Sequence, residues 1–388
     1  MKKESIIFIA CITVFLAQLG ITIYLPASPV LAKAFSCPPK DVALALSAFL
    51  IGMAAPMLAW GSLSEKHGRK TMLSASLLLY ALSSAVIALT HHVEAFILLR
   101  FLQGMGASGM SVMSRVMIRD HFSGAQLAKS LSWLSISFVV SLGVGQYLGS
   151  LLLIALGWQA IFFGLSISTL ALLFALARLP AVNSPTASHS QSSVSAYLMI
   201  LRSRDFLLPA LAGGLGYGVI ITFNTCAPFI FQDSLRWSAS EYGMLGWPIS
   251  LSYFVGAWLV NRHVVRKGRS FFILLGVAIL LAGCTTMLLG GILQQSLLLW
   301  LPYCLAVSGQ AMNYPVSMAI ATEKAPLSGP YAMALCGFLH QLMAAAIGAI
   351  ASILPGQHIW MSTGLMLLLA MAALAAIARS GPRGLEPA

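Results

Sequence analysis

Gly61-Ser-Leu-Ser-Glu-Lys-His-Gly-Arg-Lys-Thr71 decides the reading of this chain. It is a basic, glycine-flanked turn, and long apolar stretches run into it and away from it. Around that turn, 388 residues are 59% hydrophobic and only 8% charged, whereas soluble domains carry about 25% charged residues. Length is therefore counted in crossings of a bilayer, at about 20 apolar residues each. Apolar spans run over 5–32, 41–63, 71–90, 94–118, 128–153 and 158–178, then 205–231, 240–262, 270–291, 295–321, 328–353 and 357–379. A backbone facing lipid must satisfy its own hydrogen bonds, so all twelve spans are predicted helices. The first follows Lys2 and Lys3, and its apolar run exceeds the roughly 7–15 residues of a signal peptide. It is read as an uncleaved helix.

A formal charge of +12 in a soluble chain points to nucleic acid. Here no basic stripe interleaves with aromatics, so nucleic-acid binding is excluded. The cations instead cap the apolar spans, as topology determinants and contacts for anionic lipid. With the N-terminus in the cytoplasm, eighteen Lys and Arg fall on the cytoplasmic side. Only Lys33, Lys40 and Arg236 fall opposite, and Arg100 lies inside a span. That bias puts both termini inside and requires an even number of crossings. The six cysteines show no C-x-x-C spacing and no paired histidines, so they are read as packing residues, with no metal and no cofactor expected.

Residues 179–204 form the long polar break, serine-rich with Pro180 and Pro185, and read as a flexible cytoplasmic linker. The expected domains are an N-terminal six-helix bundle (1–178), this linker, and a C-terminal bundle with a short tail (205–388). The halves look like diverged copies. Asn261-Arg-His-Val-Val-Arg-Lys-Gly-Arg269 is an eroded version of the 61–71 turn, and Pro26 is answered by Pro228.

Gly61, Glu65, Gly68, Arg69 and Lys70 resemble the signature loop of the major facilitator superfamily, with Glu in place of the usual Asp. Leu98-Leu-Arg-Phe-Leu-Gln-Gly-Met-Gly-Ala-Ser-Gly109 is similar to that superfamily's fourth-helix motif through Arg100, Gln103 and Gly104. Its formal G-x-G-x-x-G is not a dinucleotide site, because no strand precedes it; small residues at this spacing let helices approach closely. Gln18-Leu-Gly-Ile-Thr-Ile-Tyr-Leu-Pro-Ala-Ser-Pro29 and Arg119-Asp120 narrow the resemblance to the Bcr/CflA group of drug:proton antiporters. Two positions depart from that group's pattern. Gly145-Gln-Tyr-Leu-Gly149 has Gln146 where such antiporters carry proline, and Thr22 stands where many members carry an acid.

The resemblance implies twelve transmembrane helices as two parallel six-helix repeats, with a binding site near the midplane between them. It implies a multi-pass protein of a bacterial inner membrane, acting as a monomer on a small-molecule substrate and on protons, not an enzyme. Arg69 is expected to pair with Asp120, and Gly61, Glu65, Gly68, Lys70, Arg115 and Arg119 to complete a cytoplasmic gate. Arg115 and Arg119, four apart, share a helix face within reach of Glu65 or an anionic group. The bland alternative is that these cations only set topology.

An intramembrane arginine is a functional candidate by default, so Arg100 joins His340 as a proton-coupling candidate; outward snorkelling towards Glu94 is the other reading of Arg100. His340 is the histidine placed well inside a span, where a plain helix contact is the alternative. Candidate cavity residues are Gln18, Thr22, Tyr24, Asn224, Tyr253, Gln310, Asn313, Tyr314, His340 and Gln341. Every Asp and Glu falls at a span end or in a loop, so a cationic cargo lacks a buried counter-charge. The expected function is export of hydrophobic or amphipathic molecules by alternating access. The alternatives are a dedicated exporter of one metabolite, such as a siderophore or purine, and a transport-dead receptor or scaffold.

Overall fold

The computed structural model describes residues 3–122, 124–178, 193–326, 330–355 and 358–385, and among them every regular element is helical. In chain order the helices are α1 (Lys3–Thr22), α2 (Ser28–Ala34), α3 (Pro39–Ala54), α4 (Met57–His67), α5 (Arg69–Leu89), α6 (Val93–His121), α7 (Gly124–Leu156) and α8 (Trp158–Ala177). There follow α9 (Ser193–Leu201), α10 (Arg204–Phe229), α11 (Ala239–Met244), α12 (Gly246–Lys267), α13 (Arg269–Leu293), α14 (Leu297–Glu323), α15 (Pro330–Ala351) and α16 (Ile359–Leu385). Eleven helical stretches are long and apolar enough to cross a membrane. The twelfth crossing is α14, long enough at 27 residues but diluted by Gln310, Asn313, Tyr314 and two prolines.

Four single spans of the sequence are broken locally: the eighth at Leu245, between α11 and α12, and three at a residue that removes a backbone donor. The first bends through a 3-10 turn at Leu25–Ala27, around Pro26, before α2 resumes. The second bends between α3 and α4 at Ala55 and Pro56. The seventh widens after Pro228 into a π turn at Ile230–Ser234.

The chain divides into two compact units, Met1–His189 with Trp237–Trp247, and Ser190–Arg236 with Pro248–Ala388. In the first, α6 packs against α1, α3 and α5, while α7 packs on α1 and α8 on α5. Close approach of α3 and α6 is built by reciprocal glycines. A Cβ on Gly52 would strike the Phe101 carbonyl, and one on Gly104 would strike the Phe49 carbonyl. In the second unit α13 packs against α14 and α16, and α10 against α14, α15 and α16. An apolar cluster of Phe272, Ile273, Val277, Met312, Val316 and Ile377 fills that bundle.

Residues 179–192 of the expected linker lie outside the described residues. Its later part is not extended: α9 runs through it, and Ile200 is buried against Phe206, Ala321 and Leu335. A short apolar run, Tyr197-Leu-Met-Ile-Leu201, follows the serines and drives that docking.

Candidate functional site

The 61–71 turn joins α4 to α5 through Gly68, whose φ of 88° belongs to the region that favours glycine. This sharp reversal puts Arg69 at the first position of α5, 6% exposed, facing the end of α6. Arg69 Nε donates to Asp120 Oδ2 at 3.1 Å, and its Nη1 donates to Ser64 Oγ. Ser64 in turn donates to the Gly61 carbonyl at 2.6 Å, so the guanidinium is held from the acid and from the turn. Arg119 stands farther off, 3.9 Å from the other Asp120 oxygen and half exposed. Lys70 Nζ donates to the Ala177 carbonyl at 3.2 Å, at the end of α8, where a cation suits the negative end of a helix dipole. Arg115 is exposed. The side chain of Glu65 lies outside the described residues, so its part in the gate is carried by sequence alone. At Gly61 a Cβ would meet nothing within 4 Å; sterics do not require glycine there.

The same ion pair is built a second time. α12 ends at Lys267, Gly268 has φ 81°, and α13 opens with Arg269, which pairs with Glu323 at the end of α14. In sequence, residues 261–269 are no more than an eroded copy of the first turn. The acid that completes the pair lies 54 residues away, and no local spacing advertises it.

Arg100 occupies the core of the first unit with no exposed surface. Its Nη2 donates to the Gly20 carbonyl at 2.9 Å, its Nη1 to Gln103 Oε1, and Gln103 Nε2 donates to Ser84 Oγ at 2.8 Å. The guanidinium lies 4.3 Å from the ring centroids of both Tyr24 and Phe49, a cation–π sandwich. Its geometry is inward and fully packed, not snorkelled. The Gly20 carbonyl sits one turn before the break at Leu25–Ala27, and Tyr80 Oη donates to the Leu16 carbonyl at 3.1 Å. Arg100 and Tyr80 therefore tie down the end of α1. Tyr24 is enclosed by Arg100, Phe96 and Phe162. Thr22 donates to the Ser141 carbonyl at 3.2 Å, with Gly145 closing over it. Both residues serve the bundle's interior, while Gln18 is buried beside them in sequence.

In the second unit, glycines at 213, 214 and 216 leave a stretch of α10 backbone uncovered, and side chains of α14 and α15 fill it. Gln310 Nε2 donates to the Gly213 carbonyl and Asn313 Nδ2 to the Ala212 carbonyl, each at 3.1 Å. His340 Nε2 lies 2.9 Å from the Ala210 carbonyl. A carbonyl only accepts, so Nε2 carries the proton and Nδ1 is the bare nitrogen. Asn313 Oδ1, His340 Nδ1 and Gln341 Oε1 are buried without hydrogen-bond partners. Tyr314 packs against the His340 ring at 4.9 Å and against Tyr217 at 5.9 Å, and Cys336 Sγ lies 3.6 Å from His340 Nε2. This unit thus brings together Gln310, Asn313, Tyr314 and His340. Asn224 is buried elsewhere on α10 and Tyr253 is half-buried on α12.

Acidic residues keep to helix ends among the described residues. Glu4, Asp41, Glu94, Asp205 and Glu241 are in first turns, Asp120 and Glu323 close α6 and α14, and Asp233 lies in the π turn. The membrane interior holds Arg100 and no described carboxylate beside it. Among the described residues no three His, Cys, Asp or Glu gather as a metal cluster.

Residues 10–331 match the sequence model of the Major Facilitator Superfamily. The chain is 26% identical to the chloramphenicol resistance protein CraA of Acinetobacter baumannii, over 89% of this chain and 85% of that one. It is 25% identical to multidrug resistance protein D of Escherichia coli, over 95% of this chain and 93% of that one. Among solved structures it is similar to a D-xylose–proton symporter, with a TM-score of 0.78 at 16% identity, covering 95% and 97% of the two chains.

Proposed function

This chain belongs to the Major Facilitator Superfamily, and on that premise we propose that it exports uncharged or anionic amphipathic small molecules by proton antiport. It is a multi-pass membrane transporter, not an enzyme. The observation that carries the choice of cargo is the distribution of charge. Every described carboxylate lies at a helix end, and the buried charges among the described residues are cations: Arg69, paired with Asp120, and Arg100, with no carboxylate beside it. A cationic drug entering such an interior meets no counter-ion and loses hydration without compensation. Chloramphenicol, the uncharged compound in the name of one relative, is the cargo class this interior tolerates. Residues Gly61, Glu65, Gly68, Arg69, Lys70, Arg115, Arg119 and Asp120 form the conformational gate in this reading, with Arg69 and Asp120 at its centre. Arg100 acts as a positioning residue for the end of α1. His340, with a bare Nδ1, is the group through which proton coupling runs, and both termini lie in the cytoplasm of a bacterial inner membrane.

The test is accumulation of labelled chloramphenicol in a bacterial strain stripped of its own exporters. Expression of this chain is expected to lower accumulation, and a protonophore to restore it; accumulation unchanged by expression refutes the proposal. A second reading, export of one metabolite, draws on the fixed cluster of Gln310, Asn313 and His340, whose donors are committed to backbone carbonyls and present a defined set of acceptors. Protection confined to a single compound across a broad panel selects that reading.

A further inference from the structure

We propose that the second unit selects its cargo by hydrogen-bond donors: neutral compounds carrying hydroxyl or amide N–H groups, met by buried acceptors on α14 and α15. The inference rests on the export reading above and adds to it what the cargo must carry. Its origin is the α10 backbone. Glycines at 213, 214 and 216 bring side chains of α14 and α15 against α10, and the carbonyls they meet there can only accept. Each polar side chain therefore turns its donor towards α10. Gln310 Nε2 goes to the Gly213 carbonyl, Asn313 Nδ2 to that of Ala212 and His340 Nε2 to that of Ala210. The two amides lock each other in this sense. Asn313 Nδ2 also reaches Gln310 Oε1 at 3.3 Å, so turning either amide over sets an oxygen against a carbonyl.

Donors committed to the backbone leave acceptors facing elsewhere. Among the described residues, the buried side-chain atoms of the second unit without a hydrogen-bond partner are Asn313 Oδ1, His340 Nδ1 and Gln341 Oε1. All three are acceptors. The first unit differs: its partnerless buried atoms include Arg100 Nε and the hydroxyls of Ser47, Ser108 and Ser111, which can donate. Asn313 and His340 have no exposed surface, and a buried acceptor left unmet is destabilising. They stand on neighbouring helices, so a molecule bringing donors completes both. A cation is the poorer fit, because the described acids of this unit, Asp205, Asp233 and Glu323, lie at helix ends or in the π turn. Tyr314 packs on the His340 ring and Tyr217 packs on Tyr314. Both tyrosines are half-buried and offer aromatic faces to the apolar body of such a molecule.

Equilibrium binding to the full chain in detergent tests this apart from transport. The probes are labelled chloramphenicol, whose hydroxyls and amide N–H are donors, and its analogue with fluorine in place of the primary hydroxyl. The two are close in size, and the analogue lacks one donor. An acceptor left facing fluorine is expected to weaken binding at least fivefold. Gln341→Met, Asn313→Leu and His340→Phe each remove one acceptor, and folding of each is checked by size-exclusion chromatography. The variant that deletes the partner of the primary hydroxyl is expected to bring the two compounds within about twofold of each other. Saturable binding of both compounds with no preference in the wild-type chain overturns the inference and leaves the export reading standing. A preference that survives in every folded variant overturns the assignment to these acceptors. No saturable binding of either compound overturns the inference and the proposed cargo together.

Discussion

Removing the Arg69 guanidinium is the perturbation the structure speaks to most directly. The pair with Asp120 spans 3.1 Å between side chains that are 7% and 12% exposed. At an effective dielectric of about 20, the bare attraction there is about 5 kcal/mol. Desolvation of both groups offsets much of it, and hydrogen bonds to charged groups retain about 1.5–3 kcal/mol net. Taking about 2 kcal/mol, Arg69→Ala shifts any equilibrium that the pair controls by about thirtyfold. A state holding nine molecules in ten falls to about one in four. Arg119 does not compensate, since it is 3.9 Å from Asp120 and half exposed, where such contacts contribute about 0–1 kcal/mol. We predict that Arg69→Ala lowers efflux of labelled chloramphenicol at least fivefold at equal amounts in the membrane. Arg69→Lys is expected to fall between, because an ammonium keeps the charge but not the fork that also reaches Ser64. Asp120→Asn is expected to cost as much as Arg69→Ala, and the double substitution little more than either one. Wild-type efflux from Arg69→Ala, or strictly additive losses in the double variant, refutes the reasoning.

Other outcomes follow from the same geometry. Arg100→Leu orphans the Gly20 carbonyl and Gln103, and is expected to lower thermal stability in detergent by about 2–4 kcal/mol; a melting point within a degree of wild type contradicts the positioning role. Gly104→Val drives a side chain into the Phe49 backbone and is expected to cost at least about 1–3 kcal/mol, read as lost folded protein by size-exclusion chromatography, whereas Gly61→Ala meets open space and keeps its yield. His340→Gln retains a donor for the Ala210 carbonyl, so stability is expected to hold within about 1 kcal/mol. Its transport is expected to lose its coupling to an imposed proton gradient; the side chains against His340 are Cys336 and Tyr314. A response to the gradient equal to wild type removes His340 from coupling.

The crossings were legible because lipid imposes one solution on an apolar stretch of about twenty residues. Even α14, the least apolar of the twelve, showed itself by length and by its place in the repeat. What the sequence concealed were partners contributed by backbone and by distance. Arg100 finds its acceptor at Gly20, 80 residues earlier, on a main chain that any residue provides. That bond turns Tyr24 from a candidate cavity residue into the wall around a buried cation. Glu323 was visible as an acid at a span end, yet its pairing with Arg269 depends on how α13 and α14 pack. The polar run at 179–204 hid α9 because helix content there rests on Ile200, with Tyr197 and Leu201, docking at a distance, not on local propensity.

Flux of labelled chloramphenicol into inverted membrane vesicles tests the central claim most directly. Respiration acidifies the vesicle interior, and the proposed antiport then draws the drug inward as protons leave. The account predicts saturable uptake that a protonophore abolishes and that excess quaternary ammonium drug does not displace. Uptake no greater than in vesicles lacking the protein contradicts it, as does uptake indifferent to the proton gradient.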